Sequence, residues 1–379
     1  MAQLLEKRFR ANPDYEILAR ETCVTTDCIP LENPHEPLYG YLHPRSSTSN
    51  LPCRQISPDT ALLFLALQHA AYVPEYFCSL LGRRTNHFLL CLVLDGVIEV
   101  EHAGQFIAGR TAKEHFISAD VYASKGRIAE LSITALKYAD ALGELPIPEL
   151  TRRLYDFGRL PVTVAQKRAF LNTDTDFFGS LLNRVGLVLS AHWMRSPSAD
   201  ASWIMWRPIR IRGDSEGVRY KLYVSPGLSD IATAFQASAD ILGQSPGVCG
   251  LKIGRGFAGL TRADKIVAYF SRLDDLQEAG MRLHRELEGC AAHGVPFTAE
   301  LSDNGLLSWG ADPPRTHTNR PGSWRLWLTG KLAAYFEIGR RSHTAGTIWP
   351  FVLDRIRLDG VNPDTWVPDA KLWSSPSTS

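Results

Sequence analysis

The sequence predicts an α+β protein, in which an N-terminal mixed helical and hairpin domain precedes a C-terminal ferredoxin-like domain. Apolar residues between positions 220 and 301 follow the order strand, helix, strand, strand, helix, strand, which is the ferredoxin-like βαββαβ order. The preceding region combines helical periodicities with one hairpin signal. At 379 residues the chain is long enough to bury two cores. We therefore expect a C-terminal sheet with both helices on one face and a second, open face.

The N-terminal part begins with residues 1–58, which are rich in Pro, Asn and Ser and predict an extended arm. A helical domain with a β-hairpin is expected over 59–195. The hairpin is predicted at Asp95-Gly96, between the apolar runs 87–94 and 97–102, because Asp-Gly suits the positive φ angles of a type I′ turn. Helices are predicted from Asp59 and over 75–81, 127–142, 148–157 and 173–185, and a domain boundary at 196–200.

The C-terminal domain is expected over 203–373. Its first clear strand, Tyr220 to Ser225, alternates apolar and polar residues and stops at Pro226-Gly227, as a half-buried strand does. Residues 213–217 predict a turn before it, and 312–322 a long polar loop of the kind that often carries function. Strands are predicted over 203–212, 220–225, 248–254, 265–270 and 297–301, helices over 229–242, 273–287 and 323–338, a short segment over 351–356, and a disordered tail over 374–379.

Alternation along these strands divides their side chains between two faces. One set is apolar and faces the two helices: Leu222, Val224, Leu251, Ile253, Ile266, Ala268, Phe297 and Ala299. The opposite set mixes cations, aromatics and a carboxylate: Lys221, Tyr223, Lys252, Lys265, Tyr269, Thr298 and Glu300. Such a face is unlike ordinary core and predicts a binding surface, and the alternative is that it meets the N-terminal domain or solvent.

Composition excludes several classes of partner. The 41 Lys and Arg residues balance 40 Asp and Glu residues, so no overall field attracts nucleic acid or an anionic membrane. The first residues lack the apolar segment of a signal peptide, and a cytoplasmic protein is expected. The seven cysteines are odd in number and scattered, which predicts free thiols and neither a disulfide framework nor a zinc site.

Gly254 to Gly259 matches GxGxxG, but a dinucleotide fingerprint must open a helix, and here another strand is expected to follow. The glycines beside Arg255 and Arg262 could instead form an anion-binding turn. His284 and His293 are interpreted as a helix-surface and a loop residue, so neither a metal nor another cofactor is expected.

Several short blocks resemble the Hop A type III effector family. They are Leu150 to Thr163, Tyr220 to Val224, Lys252, Arg262-Ala263-Asp264 with Val267 and Tyr269, Pro296-Phe297-Thr298, Leu306 to Pro314, and Ser323-Trp324-Arg325. Relatives of that family occur in biosynthetic clusters for ribosomally made, modified peptides. There they act with a kinase and eliminate phosphate from phosphoserine or phosphothreonine. The resemblance implies a peptide-recognising phospholyase whose partners are a precursor peptide and a kinase or another maturation enzyme.

Elimination needs a base for the α-proton and cations for the departing phosphate. The resemblance places Lys252 as the base, with Lys221 as a second catalytic candidate, since desolvation of a lysine lowers its pKa and frees the amine. Arg255, Arg262 and Arg325 would hold phosphate through bidentate hydrogen bonds. The remaining residues of the polar set would bind the peptide: Tyr223, Lys265, Tyr269, Thr298 and Glu300.

One departure from the family pattern opens two alternatives. The family has Ser-Phe-Gly where this chain has Ser323-Trp324-Arg325, and an indole in place of glycine could close a phosphate pocket. The protein would then be a non-catalytic peptide-binding protein that presents a precursor peptide to other enzymes. An effector-like protein that binds another protein is a third possibility.

Overall fold

The computed structural model is an α+β fold, which confirms the predicted class. It describes residues 4–21, 28–29, 36–46, 51–117, 122–161, 163–198, 200–210, 219–313, 323–341, 346–370 and 372–373. The predicted turn at 213–217, most of the polar loop over 312–322 and the tail over 374–379 lie outside the described residues.

Short strands and helices alternate through the first half of the chain, with 3-10 turns at Leu4–Glu6 and Gly82–Arg84. The helices expected from residue 59 and over 75–81, 127–142 and 148–157 are confirmed, whereas the one expected over 173–185 is part of a longer helix. The elements are β1 (Arg8–Ala11), β2 (Tyr15–Ala19), β3 (Gly40–Pro44), β4 (Arg54–Ile56), α1 (Pro58–Ala66), β5 (Ala71–Tyr72), α2 (Glu75–Leu81), α3 (Thr85–Leu94), β6 (Ile98–His102), β7 (Gln105–Ile107), α4 (Gly109–Phe116), α5 (Arg127–Ala141), α6 (Ile147–Tyr155) and α7 (Val164–His192).

The second half contains most elements of the predicted βαββαβ order, with a 3-10 turn at Leu228–Asp230. Its elements are β8 (Trp193–Ser196), β9 (Trp203–Pro208), β10 (Tyr220–Val224), α8 (Ile231–Gln244), β11 (Val248–Gly254), α9 (Gly256–Leu260), β12 (Ile266–Phe270), α10 (Leu273–Glu286), β13 (Ala299–Glu300), β14 (Leu307–Ala311), α11 (Trp324–Arg340) and α12 (Trp349–Leu358).

The hairpin predicted at Asp95-Gly96 is wrong, because residues 85–94 form α3. Gly96 ends this helix with a φ angle of 68°. The amide of Gly96 donates to the carbonyl of Val93, and that of Val97 donates to Leu92, which is the Schellman pattern of a helix C-terminus. The true hairpin joins β6 to β7 through Ala103-Gly104. The Asp95-Gly96 pair therefore marks the C-terminus of α3 and is not a hairpin turn.

The described residues of the expected arm, 4–21, 28–29, 36–46 and 51–58, include paired strands. Strand β1 pairs with β5 and β6, and β2, β3 and β4 form a small sheet of their own. Phe9 and Leu42 are fully buried. A disulfide joins Cys28 to Cys53, which corrects the expectation that the thiols are free.

The large sheet comprises, among the described residues, seven strands in the order β13-β14-β10-β12-β11-β9-β8. The predicted strands over 220–225, 248–254 and 265–270 are confirmed as β10, β11 and β12. The strand predicted over 297–301 was misplaced. Only two of its residues form a strand, β13, and the strand that pairs along the whole of β10 is β14. The strand predicted at 203–212 is β9, which pairs with β11 and extends the sheet.

Two apolar cores are present. One lies between the large sheet and helices α7, α8 and α10, and it contains all the residues predicted to face the helices except Phe297. The other combines residues 4–154 with α11 and α12, and it includes Phe297. The chain thus returns to its N-terminal core at its end. The segment 196–200, predicted to be a domain boundary, is the connection between the paired strands β8 and β9.

The second face of the large sheet was expected to be open, but the structure covers much of it. Lys221, Tyr223, Lys265 and Thr298 are buried, and Trp203, Ala263, Val267 and Val295 join Tyr223 in a third apolar cluster there. Tyr155 of α6 and Arg325 of α11 approach this face. The alternative in which the face meets the N-terminal part therefore describes part of it correctly.

Candidate functional site

Lys252 lies on β11 in the middle of the large sheet. Its backbone is in register with Met205 of β9 on one side and Val267 of β12 on the other. Its Nζ atom stands 3.9 Å from the centroid of the Trp203 ring and 5.5 Å from that of Tyr269. The amine thus lies between the Trp203 and Tyr269 rings on the polar face, and a part of the side chain is still exposed.

Burial and, to a smaller extent, the charge of Lys221 together lower the pKa of Lys252 from its ordinary value of 10.5 to about 8, against the opposite effect of Asp264. Within the described part of the chain, no carboxylate oxygen lies within 4.0 Å of this amine. An amine of this kind loses its proton near neutral pH, as a general base must.

Asp264 organises the cations beside Lys252. Its Oδ1 atom lies 2.9 Å from Nε of Arg262, and its Oδ2 atom lies 3.1 Å from Arg325. The hydroxyl of Tyr155 donates to the same Oδ2 over 3.1 Å. Although burial of this carboxyl would raise its pKa, Arg325 and Arg262 hold the pKa below its usual range. Asp264 is therefore a fixed anion that holds two arginines in place.

Arg262 and Arg325 differ in how far their side chains are exposed to solvent. Arg325 is 1% exposed and also donates to the carbonyls of Pro296 and Tyr155, so its hydrogen bonds are directed inward. The side chain of Arg262 is 17% exposed, and its guanidinium lies 4.8 Å from the Trp203 ring that also contacts Lys252. Arg262 can reach a ligand at Lys252, whereas Arg325 supports Asp264.

Lys221 completes the cluster. Its Nζ atom pairs with Asp312 over 2.6 Å and lies 5.4 Å from the Tyr269 ring, which separates it from Lys252. Burial raises the pKa of Tyr269, so this phenol is neutral. Four cations, Lys221, Lys252, Arg262 and Arg325, thus surround two carboxylates, Asp264 and Asp312. The excess of positive charge favours an anionic ligand.

Lys265 forms a separate, buried pair with His293. Its Nζ atom donates to the carbonyl of Pro226 over 2.9 Å and lies 2.6 Å from Nδ1 of His293. The other imidazole nitrogen donates to the carbonyl of Gly158 over 2.5 Å. Burial lowers the pKa of Lys265 to about 7, and burial with the charge of Lys265 lowers that of His293 to about 4. The interpretation of His293 as a simple loop residue missed this pair.

The remaining predicted residues lie in other environments. Tyr223 is 2% exposed within the third apolar cluster, and Thr298 is fully buried and donates to the carbonyl of Val295. Glu300 accepts a hydrogen bond from the amide of Ile128 at the start of α5, which ties it to that helix. Arg255 is exposed just before the short helix α9, which occupies part of the predicted turn. None of these contacts places the four side chains against Lys252.

Sequence reasoning missed Tyr155, Trp203, Asp264 and Asp312 as site residues. Trp203 was assigned no role, and Asp264 and Tyr155 stand in the blocks that carry the family resemblance without being assigned one. The useful signal was an acidic residue close to Arg262 in sequence, because a cluster of cations needs a carboxylate to fix its geometry.

No group of three or more metal-ligating side chains is found in the described residues. Among the described helices, none is long and apolar enough to cross a bilayer.

No protein family matches the sequence, and no curated protein is similar to it. Similar solved structures include an effector protein from Pseudomonas syringae pv. tomato strain DC3000, with 14% identity over 64% of this chain and 98% of that one at a TM-score of 0.39. The effector from P. syringae pv. syringae strain 61 has 12% identity, the same coverage of this chain, 100% of its own and a TM-score of 0.40. The type III effector and phosphothreonine lyase OspF from Shigella flexneri has 14% identity over 36% of this chain and 89% of its own, with a TM-score of 0.27. Likenesses with TM-scores below 0.5 assign neither a family nor an activity to this chain.

Proposed function

We propose that this protein recognises a phosphorylated peptide and eliminates phosphate from phosphoserine or phosphothreonine, with Lys252 as the base. The peptide would be the precursor of a ribosomally synthesised, modified peptide, and a kinase would supply the phosphate. The observation that carries the proposal is the amine of Lys252, with a pKa of about 8, beside more cations than carboxylates. This combination suits removal of a proton next to a departing phosphate.

The elimination balances within the site. Lys252 Nζ takes the α-proton, the electron pair of the Cα–H bond becomes the Cα–Cβ double bond, and the Cβ–O bond breaks. The oxygen leaves with phosphate and carries away the electron pair of the Cβ–O bond. The products are a dehydroamino acid and phosphate, and no other reactant is needed.

The cations have different roles in this scheme. Arg262 is exposed enough to contact the phosphate, and Asp264 fixes the direction of its guanidinium. Arg325 is a positioning residue, because its contacts are with Asp264 and two backbone carbonyls. Lys221 is neutralised by Asp312 and acts on Lys252 mainly by repelling its proton. These roles replace the initial assignment of phosphate binding to all three arginines and of catalysis to Lys221.

The aromatic surroundings of Lys252 suit a peptide. Gly250 and Gly254, which flank Lys252, are already approached by this chain: a Cβ atom at Gly254 would lie 2.4 Å from the carbonyl oxygen of Gly259, and one at Gly250 would lie 3.2 Å from that of Trp206. Trp203 and Tyr269 offer rigid aromatic surfaces on either side of the amine. The α-carbon of a phosphorylated residue could therefore meet the amine while Arg262 holds the phosphate.

The test is mass spectrometry of the protein with peptides that contain phosphoserine or phosphothreonine. We expect the substrate to lose phosphoric acid with the wild type and to stay unchanged with Lys252→Met, which keeps the length of the side chain. Lys137→Met is the control, because Lys137 also stands over a tryptophan, Trp349 at 5.5 Å, but is exposed on α5, away from Lys252. It should retain full activity.

The second candidate is a peptide-binding protein without catalysis. The contact of Lys252 with the Trp203 ring favours it, since a cation–π contact stabilises the ammonium form. In that case native mass spectrometry would detect a peptide complex and the peptide mass would not change. That result would refute the lyase and retain peptide binding.

A further inference from the structure

A second group of reactive side chains lies far from Lys252, on helix α3 in the N-terminal core. His87 and Cys91 are four residues apart and so occupy one face of this helix. The Sγ atom of Cys91 lies 3.7 Å from Nε2 of His87, within the range of a sulfur hydrogen bond. A thiol and an imidazole in contact are the first requirement for an activated cysteine.

Both side chains line a cavity of about 450 Å³. Its volume falls within the range of small-molecule sites in proteins. Phe88, Leu92, Trp327 and Trp373 give it apolar walls, and the rings of the two tryptophans meet edge to face at 4.9 Å. The charged side chains on its wall are Glu36, Arg54, Asp59, Arg84, Asp359 and Asp369. The cavity therefore fits a small, largely apolar molecule with a polar end.

The surroundings of the imidazole favour its neutral form. Partial burial lowers the pKa of His87, and the charge of Arg355 lowers it further, against the effects of Asp359 and of the Leu358 backbone. Arg355 also interacts electrostatically with Cys91. The imidazole is thus free to accept a proton, and a guanidinium stands near the resulting thiolate.

We infer that Cys91 and His87 form a nucleophilic pair that adds to a small α,β-unsaturated carbonyl compound bound in this cavity. His87 Nε2 takes the thiol proton, and a sulfur electron pair forms the C–S bond at the β-carbon. The π electrons move to the carbonyl, and His87 returns the proton to the α-carbon. The product is a thioether, and the reaction has no leaving group and needs no oxidant.

This ligand class follows from what the cavity contains. Addition to a conjugated carbonyl requires only a thiolate and a proton donor, and His87 serves as both acceptor and donor of that proton. Planar conjugated molecules also suit walls made of aromatic rings. The inference is independent of the lyase proposal, since no residue of the Lys252 cluster takes part.

Acrylamide, the smallest convenient probe of this class, tests the pair in the full-length protein. Alkylation of each thiol would be followed by peptide mass spectrometry between pH 5 and 9, roughly the span around the ordinary histidine and cysteine pKa values. Cys78, Cys249 and Cys290 are free and more exposed than Cys91, which is only 3% exposed. We expect Cys91 to react fastest at neutral pH, with a rate that levels off at a lower pH than those of the other thiols.

The variant His87→Asn should slow alkylation of Cys91 by roughly a hundredfold, a typical contribution of general base catalysis. Alkylation of Cys78, on the neighbouring helix α2, should be unchanged. If His87→Asn does not fold, the pH profile of the wild type decides alone. The inference is overturned if Cys91 reacts more slowly than Cys78 or follows the same pH profile as the other thiols.

Discussion

Replacing Lys252 by Met should make the protein more stable at neutral pH and leave the stability unchanged in strong base. In the folded protein the pKa of this lysine is about 8, against an ordinary value of 10.5. Below pH 8 the amine is protonated in both states, and the folded state bears the whole unfavourable free energy of the buried charge. Between pH 8 and 10.5 the unfolded state binds the extra proton, so the stability of the wild type rises with pH.

The magnitude follows from the same difference. A difference of about 2.5 in pKa, at about 1.4 kcal/mol for each unit, corresponds to an unfavourable contribution of ~3 kcal/mol at pH 7. We therefore expect the variant to gain about 3 kcal/mol over the wild type at pH 7, and to lose this advantage by about pH 10.5.

Urea denaturation of both proteins at several pH values from 7 to 10.5 measures the difference directly. Lys265, with a pKa of about 7, titrates in both proteins and cancels in the difference. Lys137→Met, at the other lysine over a tryptophan, should show no such trend. A stability difference that stays constant with pH would show that Lys252 keeps an ordinary pKa, and would remove the basis for assigning it as a base.

Three further predictions concern the same face. The rate of phosphate elimination should rise with pH as Lys252 loses its proton and level off above about pH 8, and a rate that falls over this range would exclude this amine as the base. Asp264→Asn leaves two arginines without their shared anion, so urea denaturation should show a loss of about 3 to 5 kcal/mol, whereas a loss below 1 kcal/mol would contradict the central role of this carboxylate. Gly126→Ala should lower stability by about 1 to 3 kcal/mol more than Gly104→Ala. Both glycines have positive φ angles, but a Cβ atom at Gly126 would lie 1.8 Å from the Glu300 carboxylate, while Gly104 has open space. Equal losses in calorimetry would contradict the capping role of Glu300.

The central strands and helices could be predicted because their patterns are local. In β10 the aliphatic residues Leu222 and Val224 alternate with Lys221 and Tyr223, and α10 carries leucines at helical spacing, so each sequence pattern indicates the side on which sheet and helices meet. The apolar run of α3 has no such alternation, and strand and helix were equally compatible with it. The choice there depended on the Asp-Gly pair, which suits both a hairpin turn and a helix end.

The site was predicted only in part. Lys252 was found because it lies on the polar side of its strand, and Arg262 because it follows the glycine-rich turn and stands in a block that resembles the family. Tyr155 is 109 residues from Asp264 and 170 from Arg325, and no local pattern reports contacts over such separations. The burial of the second sheet face could not be predicted for the same reason, because it depends on how α6 and α11 pack against that face.

The packing of α11 and α12 against the N-terminal core affects how the protein folds while it is being synthesised. The first 154 residues emerge well before residues 324–366, which complete their core. Until then Leu63, Leu89 and Leu136, all fully buried in the finished protein, lack part of their apolar surroundings. The large sheet, whose core draws on residues 181–311, can close earlier than the region synthesised before it. The N-terminal region is thus synthesised first, but the last residues of its core are made after those of the sheet core, and until then its apolar residues are open to contact with other chains.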